Sequence, residues 1–252
     1  MTGTGERAAV VTGAASGIGR AITERLRADG VRTLAVDRAA EPDDPDSLGV
    51  DLTTREGNRA AVQVALDRFG RLDIVVANAG FQHVAPIAEF DPDRWDELLK
   101  ILLTSPFLLA HYGWKALSEA GTREQGGRFL AIASAHSLVA SPFKAGYVSA
   151  KHGVLGLVRT LAVEGAEIGL SASALCPGYV RTPLVEAQIA DQAKAHGLTE
   201  DRVLSEVILA RQAVKRLLEP AEVADAAAFL LGPAGRGFTG AAVPMDYGWT
   251  AR

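Results

Sequence analysis

Tyr147 and Lys151 stand four residues apart in a helix-like run, so one face of one helix would carry both side chains. A phenol titrates at about 10, too high for a base at neutral pH unless a cation is held beside it. An ammonium about 4 Å away favours the phenolate by roughly 4 kcal/mol at an effective dielectric near 20, before desolvation losses. Such a pair is a proton-transfer device. Ser134 lies upstream, at the end of the apolar run 129–133, which reads as a buried strand. A hydroxyl at a strand's end can hold a substrate oxygen beside the phenol. Tyr-x-x-x-Lys alone is a weak motif, since a surface tyrosine next to a solvated lysine is spelled the same way. The rest of the chain decides its weight.

Positioning these groups requires a scaffold, and the chain spells one. Apolar runs at 8–11, 33–36, 73–77, 129–133, 171–175 and 241–244 alternate with helical patterns at 17–29, 54–69, 92–120, 146–167 and 220–231. This alternation predicts an α/β fold, a single Rossmann-type domain over 1–252 with a doubly wound parallel sheet and helices on both faces. With 252 residues, 48% of them hydrophobic, the chain can bury such a core. A net charge of −4 leaves no basic surface for nucleic acid or an anionic membrane. Cys176, the single cysteine, permits no disulfide within the chain and is expected as a buried small hydrophobe. No run reaches the roughly 18 apolar residues of a membrane span, and no signal-peptide core is found. The expected location is the cytoplasm.

The first strand-to-helix turn reads Thr12-Gly13-Ala14-Ala15-Ser16-Gly17-Ile18-Gly19. Glycines there let the backbone approach a pyrophosphate, which then rests on the helix N-terminus. Gly13, Ser16, Gly17, Ile18 and Gly19 are therefore candidate dinucleotide contacts. Asp37 ends the second strand, where a carboxylate accepts from ribose hydroxyls and repels a 2′-phosphate, favouring NAD over NADP. Arg38 beside it could instead meet a phosphate. The interval 39–49 is too short for a helix plus a strand and predicts a loop with a brief strand. Asp51 and Leu52 then fall near the adenine. Asn78-Ala79-Gly80 ends another strand at the sheet's ligand-binding crest, with Asn78 placed to brace neighbouring strand ends.

These segments, with Ser134, Tyr147-x-x-x-Lys151 and Pro177-Gly178-Tyr179-Val180-Arg181-Thr182, resemble the short-chain dehydrogenase/reductase family over essentially the whole chain. The resemblance implies Ser134, Tyr147 and Lys151 as catalytic residues, with Tyr147 and Lys151 also touching the cofactor. It places Thr182 on the nicotinamide carboxamide, with Pro177 and Val180 beside it. It implies a homotetramer. One position departs: where the family carries a relay asparagine seven residues after a Trp-Asp pair, this chain has Leu102. A leucine cannot hydrogen-bond a relay water. Pro106 is expected to distort the same helix.

Further segments, 80–87, 134–141, 150–154, 182–189 and 248–252, resemble the D-3-hydroxybutyrate dehydrogenase group of that family. In that group a substrate carboxylate is held by residues that correspond to Gln82, His136, Lys144 and Gln188. A small hydroxy acid fits the pattern: a cation and neutral donors fix the carboxylate while the carbinol faces Tyr147. Residues 184–218 have the length and position of a helical substrate lid. His83 and His152 are expected to pack or cap, and His111 and His196 to sit on helix surfaces. No histidine pair has metal-ligand spacing, and no metal is expected. Two other readings stand beside this one: a related enzyme for another hydroxy acid or ketone, and a nucleotide-binding protein impaired by Leu102.

Overall fold

Runs such as Ala8–Thr12 and Leu170–Pro177 are buried along their whole length, as strands covered on both faces must be. A computed structural model describes residues 7–121 and 126–251, with backbone alone at 188, 190–192 and 194–196. Its strands are β1 (Ala8–Thr12), β2 (Arg32–Asp37), β3 (Ser47–Gly49), β4 (Ile74–Ala77), β5 (Gly127–Ile132), β6 (Leu170–Pro177) and β7 (Ala242–Met245). They form one seven-stranded sheet in the order β3-β2-β1-β4-β5-β6-β7, and every pairing is parallel.

The helices are α1 (Gly17–Ala28), α2 (Arg55–Phe69), α3 (Pro92–Leu99), α4 (Ser105–Gly121), α5 (Ala145–Gly165), α6 (Pro183–His196), α7 (Glu200–Val203) and α8 (Pro220–Leu231). Side chains alternate across a strand, so β1 sends Ala8 and Val10 to one face and Ala9 and Val11 to the other. The first pair packs with residues of α2, α4 and α5, such as Val62, Leu109 and Val158. The second packs with Ile22 and Leu26 of α1 and with Val223 and Ala227 of α8. Two apolar layers thus clamp the sheet. The strand order reverses between β1 and β4, which opens a crevice at their C-terminal ends.

Two local expectations are met with detail added. The crossover after β2 is a loop and the three-residue strand β3. The predicted helix 92–120 is interrupted by a π turn, Lys100–Thr104, between α3 and α4. Pro106 has no N–H, so the Leu102 carbonyl four residues back loses its α-helical donor, and the chain takes up the slack in a wider turn. Residues between β6 and α8 build α6, α7 and a second π turn, Leu204–Ile208, around a small apolar cluster of their own that includes Ile189, Val203 and Leu217. Among the described residues no helix is long and apolar enough to cross a membrane.

Candidate active site

The β1–α1 turn is shaped for close approach. Gly13 takes φ +67°, and a Cβ there would lie 2.7 Å from Asn78 Nδ2. Gly17 takes φ +53°, with Thr182 Cγ2 3.0 Å from where its Cβ would be. Ser16 caps α1 without any side-chain bond, so the helix's first N–H groups stay open to an anion. Asn78 Nδ2 donates to the carbonyls of Thr12 at 2.8 Å and Gly13 at 3.3 Å, while Thr12 Oγ1 accepts from the N–H groups of Asn78 and Ala79. Asn78 therefore braces β1 against β4, as its position predicts. Gly19 stands behind the turn: a Cβ there would meet the Gly13 carbonyl at 2.0 Å, and the residue is not part of the cavity wall. Its lack of a side chain lets helix and turn touch.

A cavity of about 390 Å³ runs from this turn along the crest. Gly13, Ser16, Gly17 and Ile18 line its start, and Asp37, Asp51 and Leu52 line the adjoining end. Asp37 accepts from Ala15 N at 2.9 Å and Arg38 N at 2.7 Å, which fixes the carboxylate at the tip of β2. The Asp51 carboxylate is held below its usual range first by the Thr53 hydroxyl, then by the Thr53 N–H. Asn78, Ala79 and Gly80 border the middle, and Pro177, Val180 and Thr182 face them. This cradle of positive-φ glycines, an uncapped helix end and a carboxylate at the second strand fits a dinucleotide. Every cofactor-side residue picked from the sequence, Gly19 excepted, lines it.

At the other end lie the reactive groups. Ser134 starts a 3₁₀ turn and accepts from the His136 N–H at 3.1 Å. Tyr147 and Lys151 project from α5 into the same cavity as Ser134. Lys151 Nζ donates to the Ile132 carbonyl at 2.7 Å and lies 5.6 Å from the Tyr147 ring centroid. Here the electrostatic expectation needs correction. Burial pushes the Tyr147 phenol up, the neighbouring Ser134 side chain offsets only part of this, and burial lowers Lys151 to about 8. One of the three ammonium protons of Lys151 is directed at a backbone oxygen. Leu102, buried in the π turn, packs with Leu98, Ala150 and Tyr147 and fills the space against Gly80. Its side chain is apolar packing for the tyrosine and no relay.

His136, Lys144 and Gln82 line the same cavity, so the structure gathers them with Ser134 and Tyr147. The His136 ring meets Ser141 Oγ at 3.0 Å and Ser134 Oγ at 3.4 Å. Burial first, then the charge of Lys144, lowers His136 to about 3, so it is a neutral hydrogen-bonding group. Phe143 turns the chain with φ +66°, a strained conformation for such a residue, and delivers Lys144 to the N-terminus of α5. Burial lowers Lys144 to about 8, and its Nζ reaches the Tyr179 hydroxyl at 3.5 Å. The side chains of Gln188 and His196 lie outside the described residues. His83 packs edge-on to Phe90, and His111 stacks on Phe107 along α4. His152 bonds the Val148 carbonyl, and Cys176 is fully buried.

Sequence reasoning does not find the aromatic wall. Trp249, 6% exposed, stacks on Tyr179 with ring centroids 5.4 Å apart and planes at 3°. It also meets His136 edge-on at 5.0 Å. Phe81, Leu184 and Val185 complete that end. No periodicity joins a residue near the C-terminus to His136; the pairing of β6 with β7 brings them together.

This fold, with a serine, a tyrosine and a lysine beside a dinucleotide cradle, is the architecture of one oxidoreductase family. The family model described as enoyl-(acyl carrier protein) reductase matches residues 13–250, and the chain belongs to the short-chain dehydrogenase/reductase family. It is similar to D-beta-hydroxybutyrate dehydrogenase of Rhizobium meliloti, at 40% identity over 98% of this chain and 99% of that protein. The protein of the same name from Cupriavidus necator is 35% identical, over 98% of both chains. Among solved structures, ligand-free aldohexose dehydrogenase of Thermoplasma acidophilum aligns with a TM-score of 0.89 at 25% identity, over 98% of this chain and 95% of that one.

Proposed function

We infer that this oxidoreductase is an NAD-dependent dehydrogenase interconverting (R)-3-hydroxybutyrate and acetoacetate. The observation that carries the reading is the placement of Lys144. A cation at a helix N-terminus opposes the helix dipole, and this one makes no capping bond. Its ammonium meets the Tyr179 hydroxyl and ring, neutral partners that leave its charge to be balanced by a carboxylate in the cavity. Neutral His136 and Gln82 add donors without repelling the lysine. The two relatives named for D-beta-hydroxybutyrate point the same way.

A nicotinamide dinucleotide supplies the hydride acceptor when bound. The chain's residues do the rest. Ser134 orients the carbinol oxygen, and Tyr147 takes its proton as the C3 hydride leaves. Lys151 would hold the nicotinamide ribose. Lys144, His136, Gln82 and Gln188 fix the carboxylate, and the segment 184–218 closes over it as a lid. The exposed Phe107 on α4 and Val163 on α5 support a homotetramer built through these long helices.

Comparing the hydroxy acid with its methyl ester tests the carboxylate site. The acid should have the higher kcat/KM by roughly 10- to 150-fold, the worth of a charge-assisted hydrogen bond of about 1.5–3 kcal/mol. Equal use of the ester would favour a ketone or alcohol substrate instead. For the cofactor, Asp37→Ser should raise the KM for NAD⁺ about tenfold or more and let NADP⁺ turn over. Unchanged discrimination between the two dinucleotides would remove Asp37 from the cofactor site.

A further inference from the structure

Asp246 follows β7 and is 6% exposed. A buried carboxylate needs partners, and all those seen here come from the turn that follows it. Oδ1 accepts from Gly248 N at 3.0 Å, and Oδ2 accepts from Thr250 N at 2.9 Å and Thr250 Oγ1 at 2.6 Å. The Trp249 N–H closes the turn on the Asp246 carbonyl at 3.1 Å. Tyr247, between them, is forced to φ +50°. Strain of that kind persists only where surrounding bonds hold it. The turn projects Trp249 onto Tyr179 and His136, which otherwise contact it only through ring faces and edges.

The same turn is tied to the end of the lid segment. The Tyr247 carbonyl accepts from Ala213 N at 2.8 Å and Val214 N at 3.2 Å, and the Asp246 carbonyl accepts from Gln212 Nε2 at 3.4 Å. Gly178, next to Tyr179, donates its N–H to Met245 and packs on the Asp246 backbone. Asp246 touches none of the reactive groups, yet the elements that frame the substrate end meet around it.

We propose that Asp246 is a positioning residue whose carboxylate locks the turn 246–250, fixing Trp249 as a rigid wall of the substrate end. The test has two arms. In a Trp95→Phe, Trp114→Phe background Trp249 is the single tryptophan, since the chain has three, and selective indole excitation reads it alone. Asp246→Ala should shift its emission to the red and raise acrylamide quenching severalfold while far-UV circular dichroism is unchanged. Asp246→Asn keeps one acceptor oxygen and should fall between, and it carries the test if the alanine variant fails to fold. Quenching unchanged in a folded variant would overturn the proposal.

The second arm rests on the hydroxy-acid reading. Asp246→Ala should raise KM for the acid roughly tenfold, the equivalent of one lost charge-assisted bond, with a smaller change in kcat. In a Trp249→Ala background it should add nothing further. Fully additive effects would mean that Asp246 acts elsewhere. The fluorescence arm uses no substrate, so a wrong substrate assignment leaves it intact.

Discussion

Tyr147→Phe should lower kcat by about 10²- to 10⁴-fold, the usual worth of a positioned acid–base group, in both directions of the reaction. The phenyl ring would keep its packing with Leu98, Leu102 and Ala150 and its edge contact with His136, 5.9 Å between centroids. Stability and dinucleotide affinity should therefore be nearly unchanged, which separates lost chemistry from lost fold. A drop of less than tenfold would assign proton transfer to another group. Direction adds a check. Because burial raises the Tyr147 phenol, it is protonated at neutral pH, ready to act as an acid in ketone reduction. Alcohol oxidation needs the phenolate, so its rate should climb with pH while reduction falls.

Lys144→Met carries the second large effect. The methionine keeps much of the lysine's length and apolar contact with Tyr179 but removes the cation. KM for the acid should rise roughly 10- to 150-fold, the cost of removing a charge-assisted bond to the carboxylate, with a smaller effect on kcat. The pH dependence has a defined sign. Burial lowers Lys144 to about 8, so the ammonium is present below that pH and lost above it. In the wild type 1/KM should decline as pH rises through about 8, and in Lys144→Met that limb should vanish. The kcat profile should keep its alkaline inflection, because Lys151 titrates in the same range. The same lowered pKa means that the unfolded chain binds more protons above pH 8, so this residue makes stability increase with pH between about 8 and its ordinary range near 10.5. A KM unaffected by the substitution would place the carboxylate elsewhere.

Much of this was legible before any coordinates. Strand–helix alternation with largely apolar strands predicts a parallel sheet, and a glycine turn after β1 predicts where a dinucleotide would lie. Tyr147 and Lys151 were readable because helical spacing is local. So was the shortened crossover before β3, since chain length alone rules out a helix there. Three features were hidden for physical reasons. Gly19 reads as a ligand contact by spacing, and the packing it also provides shows only in the distance to the Gly13 carbonyl. The charge state of Tyr147 depends on burial and on where Lys151 points, and neither is encoded by their separation. Trp249 and Asp246 reach the substrate end through the pairing of β6 with β7, a contact between segments far apart in sequence. Leu102 shows the intermediate case: its departure from the family pattern is visible in sequence, while its packing beneath Tyr147 is not.

The most direct measurement mixes the purified protein with NAD⁺ and (R)-3-hydroxybutyrate and follows NADH absorbance, with the (S) enantiomer and NADP⁺ in parallel. Turnover with the (R) acid and NAD⁺, and little with the other combinations, is the predicted result. Bound NADH without turnover of either enantiomer would contradict it, and would leave a family member whose Lys144 and His136 serve a different acid or no chemistry at all.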